Sequence, residues 1–368
     1  MNSKLKIITV VGARPQFIKA AAVSRAISSQ FSNQIEEKII HTGQHFDENM
    51  SQVFFDELGI PKPHYNLAVS GGSHGAMTGK MLDSIEQVLL KEKPDWLLIY
   101  GDTNSTLAGA LAASKLHIPI AHVEAGLRSF NMRMPEEVNR IVSDRISTLL
   151  FCPTETAVEN LKIEGITRGV HNVGDVMYDV ALFYKEKANA QSSVLERLKL
   201  APKNFALATC HRAENTDDLL RLKEILAALA EISSHCKVIF PLHPRTKKVI
   251  ESAGFGDYLR SLIVVDPLPF LDMVALEQSA KIILTDSGGV QKEAFFYKVP
   301  CITMREETEW IETVLQGGNS LVGASKRKIL NAFGSMVNFA YNDQHSHPYG
   351  YGDASNKLCN LMCNSQPQ

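Results

Sequence analysis

Two apolar runs in this chain end on an acid. Tyr100-Gly101-Asp102-Thr103 closes one and His122-Val123-Glu124-Ala125-Gly126 the other, and Glu136 follows in Pro135-Glu136-Glu137 at the start of a helical pattern. Glutamate rarely enters an interior unless paired. Glu124 is therefore read either as a proton-handling group or as half of a structural ion pair, with Arg128 as the partner at hand. Asp102 has its own alternative, because Asp and Thr routinely cap the helix that follows a strand.

Other polar groups at the ends of apolar runs suit an anion. Gly12-Ala13-Arg14-Pro15-Gln16-Phe17-Ile18-Lys19 joins a glycine turn to a helix with proline at its first position, so a helix N-terminus, Arg14 and Lys19 could act together. Cys210-His211-Arg212 and Leu242-His243-Pro244-Arg245 each place a histidine near an arginine. In Thr285-Asp286-Ser287-Gly288-Gly289-Val290-Gln291-Lys292-Glu293, two glycines between strand and helix let backbone N–H groups approach a diphosphate. Ser287 is a further donor there, and Glu293, one turn on, can accept both hydroxyls of a ribose. This is neither the dinucleotide G-x-G-x-x-G nor the G-x-x-x-x-G-K-[ST] phosphate loop, which argues against NAD and against ATP hydrolysis.

The elements that must hold these groups alternate. Apolar runs at Lys6–Gly12, Glu36–Thr42, Trp96–Asp102, Pro119–Gly126, Ser147–Pro153 and Gly169–Gly174 are separated by helical stretches such as Pro15–Ser29, Ala76–Leu90 and Pro135–Ile146. A second series begins at Phe205–Cys210 and continues through Lys237–Leu242, Leu262–Pro267, Lys281–Thr285 and Cys301–Met304. Tyr178–Lys203, rich in Lys, Ala, Gln and Ser, reads as the linker region. The alternation predicts α/β architecture, two doubly wound, Rossmann-like domains with parallel sheets, and ligands of such sheets bind beyond the carboxyl ends of the strands. A cleft between the two, with carboxylates on one side and a diphosphate cradle on the other, is the expected site. The expected division is 1–175 for the domain bearing the carboxylates, with a helix at about 350–368 crossing back to it, and 176–349 for the domain that binds the nucleotide.

Composition narrows the function classes. The 368 residues are 45% hydrophobic and 21% charged, with a formal net charge of -2, so nothing global draws the chain to nucleic acid or an anionic membrane. No apolar run approaches the roughly 18 residues of a membrane span, and the apolar start at Ile7–Val11 is too short for a secretion signal. Six scattered cysteines form neither a disulfide framework nor a C-x-x-C metal pair, and no motif requires a metal or cofactor. A cytoplasmic location is expected.

In order along the chain, Gly-Ala-Arg-Pro-Gln-Phe-Ile-Lys, His-Thr-Gly-Gln-His, Gly-Asp-Thr-Asn-Ser-Thr, His-Val-Glu-Ala-Gly-Leu-Arg, Pro-Glu-Glu-Val-Asn-Arg, Cys-His-Arg-Ala-Glu-Asn and Thr-Asp-Ser-Gly-Gly-Val-Gln-Lys-Glu-Ala resemble the non-hydrolysing UDP-N-acetylglucosamine 2-epimerases, from about residue 6 to 325. The resemblance implies a glycosyltransferase-B-like fold, a homodimer, and interconversion of carbon 2 epimers of a UDP-2-acetamido sugar. It implies catalytic roles for Asp102, Glu124 and Glu136 and contacts of Arg14 and Lys19 with the nucleotide end. Arg140 and His211 match a helix arginine and a histidine near the phosphates, His211 being counted with the catalytic groups as well. Ser287, Gly288, Gly289 and Glu293 match diphosphate and ribose contacts, and Phe270 the residue beside uracil.

Departures from the commoner pattern point to one branch. Ala13 and Gln16 stand where Thr and Glu are usual, the loop between Glu124 and Glu136 is short, and Thr308-Glu309-Trp310-Ile311-Glu312 replaces Thr-Glu-Arg-Pro-Glu. These features resemble enzymes acting on UDP-2,3-diacetamido-2,3-dideoxyglucuronate, which supply the mannuronate epimer for O-antigen; plain UDP-N-acetylglucosamine is the alternative substrate. A uronate would want a cation near the sugar, and Arg128 or Arg133 is placed to supply it. Gln44, His45 and Arg212 match part of the family's regulatory site for substrate, whereas Gly71-Gly72-Ser73-His74 does not match its second patch. The implied route is elimination of UDP with removal of the proton on carbon 2, then re-addition with protonation on the opposite face. A glycosyltransferase, a hydrolysing epimerase and a non-catalytic sensor are the rival readings.

Overall fold

The computed structural model describes residues 4–44, 62–341 and 347–365, and of Arg14 the backbone alone. His45 lies outside the described residues. The chain divides into two units, Met1–Val180 with His347–Gln368, and Ala181–Ser346.

The first unit is built on a seven-stranded parallel sheet in the order β3-β2-β1-β4-β5-β6-β7. The strands are β1 (Leu5–Val11), β2 (Ile35–His41), β3 (Tyr65–Asn66), β4 (Trp96–Tyr100), β5 (Ile120–Val123), β6 (Leu149–Cys152) and β7 (Val170–Asn172). Sequence order reverses between β1 and β4, the switch point at which such sheets open a crevice. Central strands are apolar on both faces because helices cover both: every residue of β4 and β5 is buried. The helix Asn104–Lys115 explains its own composition. Ala108, Gly109, Ala110, Ala112 and Ala113 are small and wholly buried. A side chain at Gly109 would lie 3.4–3.5 Å from Ile99, Leu97 and Val10. The helix thus lies close on the sheet, and the helix His74–Glu92 packs over it through Met81, Ile85, Val88 and Leu89. The C-terminal helix Ala354–Asn364 packs beside the helix Arg14–Ala26. Asp179 accepts from the N–H groups of Ala354 (3.1 Å) and Ser355 (2.7 Å) at its start.

The second unit repeats the plan with six parallel strands ordered β10-β9-β8-β11-β12-β13. These are β8 (Phe205–Thr209), β9 (Lys237–Pro241), β10 (Ile263–Val265), β11 (Ile282–Thr285), β12 (Cys301–Thr303) and β13 (Asn319–Leu321). Its core gathers Leu222, Ile225, Leu226 and Leu229 of the helix Leu219–Ile232 against Val238, Phe240, Ile282 and Leu284. The stretch expected as a linker is instead helical. Val176–Gln191 is one 16-residue helix, and the division between units falls inside it. Its polar composition belongs to its outer face: Tyr184 is wholly buried and meets Phe270 edge-on at 5.0 Å.

Candidate active site

In the first unit β4 and β5 run side by side, with Tyr100 paired to Val123, so Asp102 and Glu124 emerge from adjacent strand ends. Asp102 is not a helix cap. Thr103 takes that role, its Oγ1 accepting from the Thr106 N–H at 3.3 Å, which leaves the Asp102 carboxylate to Arg140 Nη2 at 2.5 Å. Asn139 Nδ2 holds the Asp102 carbonyl at 2.8 Å. Burial pushes the Asp102 carboxyl up and nearby Glu124 adds to that, while Arg140 and Lys19 act against both.

Glu124 sits in the left-handed region at φ 71°, which costs a residue bearing a β-carbon about 1–2 kcal/mol. The surroundings enforce it. The N–H groups of Glu124 and Ala125 both reach the Phe151 carbonyl, at 3.1 and 3.2 Å. A buried Asp144 grips the chain on either side of the turn, meeting His122 Nδ1 at 2.7 Å and the Gly126 N–H at 3.1 Å. His122 Nε2 lies 2.7 Å from the Gly101 carbonyl, linking the Asp102 strand end to the same network. Gly126 must be glycine, since its φ is 81° and a β-carbon would fall 2.3 Å from the Ala157 carbonyl oxygen.

The partner of Glu124 is Lys19, not Arg128. The Lys19 ammonium bonds Glu124 Oε2, with both side chains about nine-tenths buried. Arg128 points the other way, its guanidinium taken by Asp144 at 2.7 Å and by Glu164 at 2.6 and 2.8 Å. With its side chain 1% exposed and every bond to those carboxylates charge-assisted, Arg128 is also withdrawn as a cation for a sugar carboxylate. Arg133 is exposed. Lys19, implied as a nucleotide contact, thus lies among the carboxylates.

Gln16, unusual in type, is also explained. Its Oε1 accepts from the N–H groups of Gly12 (2.8 Å) and Ala13 (3.0 Å), while Nε2 donates to the Tyr100 carbonyl (2.7 Å) and Thr106 Oγ1 (2.9 Å). A carboxylate could not donate to the Tyr100 carbonyl, so the amide fastens the β1 turn to the β4 end. Glu136 is exposed in the first turn of the helix Pro135–Ile146. Gln44 accepts from Ser105 at both N–H (3.1 Å) and Oγ (2.8 Å).

In the second unit the ends of β8 and β11 adjoin. Asp286, wholly buried, accepts from the N–H groups of His211 (3.1 Å) and Arg212 (3.0 Å) and from Asn215 Nδ2 (3.2 Å). This fixes the His211 ring with Nδ1 3.6 Å from the same carboxylate. Burial lowers the His211 pKa and Asp286 opposes it. Nothing in the sequence marked Asp286 as the organiser, because its partners come from a strand far away along the chain. Ser287 precedes the helix Gly288–Phe296, and its hydroxyl makes no capping bond. Gly289 is exposed, and a β-carbon there would meet nothing nearer than Ser287 Oγ at 3.9 Å. At Gly288 a β-carbon would lie 3.4 Å from Trp310 Nε1 and 3.7 Å from Arg212 Nη2. Trp310 therefore backs this turn, with buried Lys292 3.8 Å from the centre of its ring. Glu293 is half-buried, and burial together with Glu293 pushes the carboxyl of neighbouring Glu277 well up. Phe270 opens the helix Phe270–Ser279.

A family model described as UDP-N-acetylglucosamine 2-epimerase matches residues 28–363. The chain belongs to that family. The enzyme is an isomerase, a UDP-sugar 2-epimerase. It is 54% identical over 362 residues to the UDP-2,3-diacetamido-2,3-dideoxy-D-glucuronate 2-epimerase of Pseudomonas aeruginosa, covering 97% of this chain and 99% of that one. It is also 54% identical to a UDP-N-acetylglucosamine 2-epimerase homolog of Methanococcus maripaludis, covering 98% and 100%. The crystal structure of the Methanocaldococcus jannaschii UDP-GlcNAc 2-epimerase in complex with UDP-GlcNAc and UDP matches with a TM-score of 0.85 at 44% identity, over 98% of this chain and 100% of that one. The fold is glycosyltransferase-B-like, shared at 13% identity and a TM-score of 0.60 with Phytolacca americana UGT2, over 98% and 94% of the two chains. No helix among the described residues is long and apolar enough to cross a membrane.

Proposed function

We propose that this epimerase acts on UDP-2,3-diacetamido-2,3-dideoxyglucuronate, giving the mannuronate epimer for polysaccharide synthesis. Its likeness to the Pseudomonas aeruginosa enzyme of that name supports the substrate, as do Trp310 in place of the usual arginine and the short loop carrying exposed Arg133. The likeness to the Methanococcus maripaludis homolog keeps UDP-N-acetylglucosamine as the second reading. The observation that carries the chemistry is the pairing at the β4 and β5 ends, where Asp102 is bound to Arg140 and Glu124 to Lys19.

Carbon 2 of the sugar has no carbonyl beside it, so simple deprotonation is too costly. Elimination avoids this: the bond from carbon 1 to UDP breaks while a base removes the proton on carbon 2, giving a 2-acetamidoglycal. UDP then adds back to carbon 1 as a proton arrives on the other face of carbon 2. Asp102, Glu124 and Glu136 handle those protons and steady the positive charge at carbon 1. Ser287, the N–H groups at Gly288 and Gly289, His211 and Arg14 hold the departing diphosphate, with Glu293 at the ribose and Phe270 beside uracil. The enzyme works as a cytoplasmic homodimer, as the family resemblance supports.

Turnover of the two UDP-sugars by the wild type and by Arg133→Gln tests the substrate. The wild type is expected to prefer the uronate, and R133Q to lose about tenfold or more of that preference, the worth of one charge-assisted contact. A wild type that prefers UDP-N-acetylglucosamine would overturn the assignment.

A further inference from the structure

Glu137, the second acid of Pro135-Glu136-Glu137, has no role in the reaction as set out above, yet it is 1% exposed. Its carboxylate accepts from the Ser129 N–H (3.1 and 3.0 Å to the two oxygens), from Ser129 Oγ (3.0 Å) and from the Phe130 N–H (2.8 Å). It also accepts from Arg140 Nη1 at 2.9 Å, and the same guanidinium reaches Asp102 through Nη2 at 2.5 Å. One buried carboxylate thus serves the loop and the arginine clamp together. The loop needs such a tie: Phe130 is held at φ 57°, left-handed, with 77% of its surface exposed, and Met132 is 63% exposed. Neither the backbone strain at Phe130 nor these two exposed side chains would keep residues 129–134 in place.

We propose that Glu137 is a positioning residue for the epimerase reaction. It holds the Arg140 guanidinium between itself and Asp102, and through Ser129 and Phe130 it makes the seating of the loop part of the same clamp. The inference rests on Asp102 handling a proton or charge at the sugar. The charged groups facing Asp102 are Arg140 from the helix Pro135–Ile146, Glu124 from the end of β5 and Lys19 from the helix Arg14–Ala26. Glu137 takes part by dividing the Arg140 charge. Burial pushes its own pKa up, but the bonds from Ser129, Arg140 and Phe130 outweigh that and hold it below the ordinary glutamate value. It is therefore a full anion at neutral pH.

The test uses the full-length enzyme and the pH profile of kcat, read as solvent-deuterium exchange at carbon 2 of the UDP-sugar, together with Tm. Glu137→Gln keeps the size and one acceptor oxygen but removes the charge. Arg140 then falls wholly to Asp102, so the limb set by Asp102 moves to lower pH by about one unit or more, and kcat falls with little change in KM. Glu137→Asp, which keeps the charge, returns the limb toward its wild-type position. In Arg140→Lys a point charge cannot span both carboxylates, and the limb moves to higher pH. A lower Tm in E137Q with both limbs at their wild-type pH overturns the proposal. If E137Q is insoluble, an unmoved profile in R140K overturns it equally. A wild type without exchange on either UDP-sugar refutes the reading of the site itself; normal wild-type exchange with unmoved variants refutes only the role of Glu137.

Discussion

At the residue scale, the places of Asp102 and Glu124 beyond adjacent strand ends were legible, because each acid closes an apolar run. Their partners were not. Arg128 is four residues from Glu124 and looked the natural counter-ion, yet the left-handed turn at Glu124 and the pull of Asp144 and Glu164 send the two side chains apart. Lys19 lies on a different helix, and no local pattern could have selected it. The same holds for Asp286, which organises His211 from a neighbouring strand. Asp102→Asn and Glu124→Gln are expected to slow exchange at carbon 2 by about 10²–10⁴-fold, the usual worth of a positioned proton-transfer group. They should differ in stability. E124Q leaves Lys19 buried without its counter-charge, a loss of about 3–5 kcal/mol for a fully buried pair and less here, since a tenth of each side chain remains exposed. D102N leaves Arg140 still bound to Glu137. Exchange rates near wild type in either variant would remove that residue from the chemistry, and equal Tm values would contradict the pairing.

At the element scale, the runs with strong apolar character all became strands, and among the described residues the strands the sequence missed lie at sheet edges. β3 has two residues and β13 three, each at the rim of its sheet, where one neighbour suffices and little apolar surface is demanded. Tyr178–Lys203 misled for a related reason: a helix with one buried face shows mainly its polar residues to a reading of composition. The Ser287-Gly288-Gly289 turn was legible, since glycines between strand and helix mark a close approach. At Gly289 no protein atom lies within ordinary contact distance of an added β-carbon except Ser287 Oγ, so the fold itself does not require glycine there. Gly289→Ala is expected to leave stability within about 0.5 kcal/mol while weakening UDP binding by about tenfold or more, 1.4 kcal/mol. Calorimetric titration with UDP and a melting curve measure both. Unchanged UDP affinity would show that the diphosphate does not sit on this turn.

At the scale of the whole molecule, each unit is a parallel sheet whose candidate site residues stand beyond the carboxyl ends of adjacent strands, β4 and β5 in one and β8 and β11 in the other. The alternation of apolar runs and helical stretches was enough to predict this, because a parallel sheet needs a helix between successive strands. Function was less legible at this scale, since the same fold serves a 13%-identical glycosyltransferase-B-like protein with a different ligand set. What separates epimerisation from transfer or hydrolysis is the fate of UDP and of the proton on carbon 2. The most direct measurement is therefore incubation of the enzyme with UDP-2,3-diacetamido-2,3-dideoxyglucuronate in deuterium oxide, with the nucleotide sugar followed by NMR. Elimination and re-addition predict deuterium at carbon 2 in both epimers with the nucleotide sugar intact at the end; free UDP accumulating, with no label in the remaining nucleotide sugar, would contradict it.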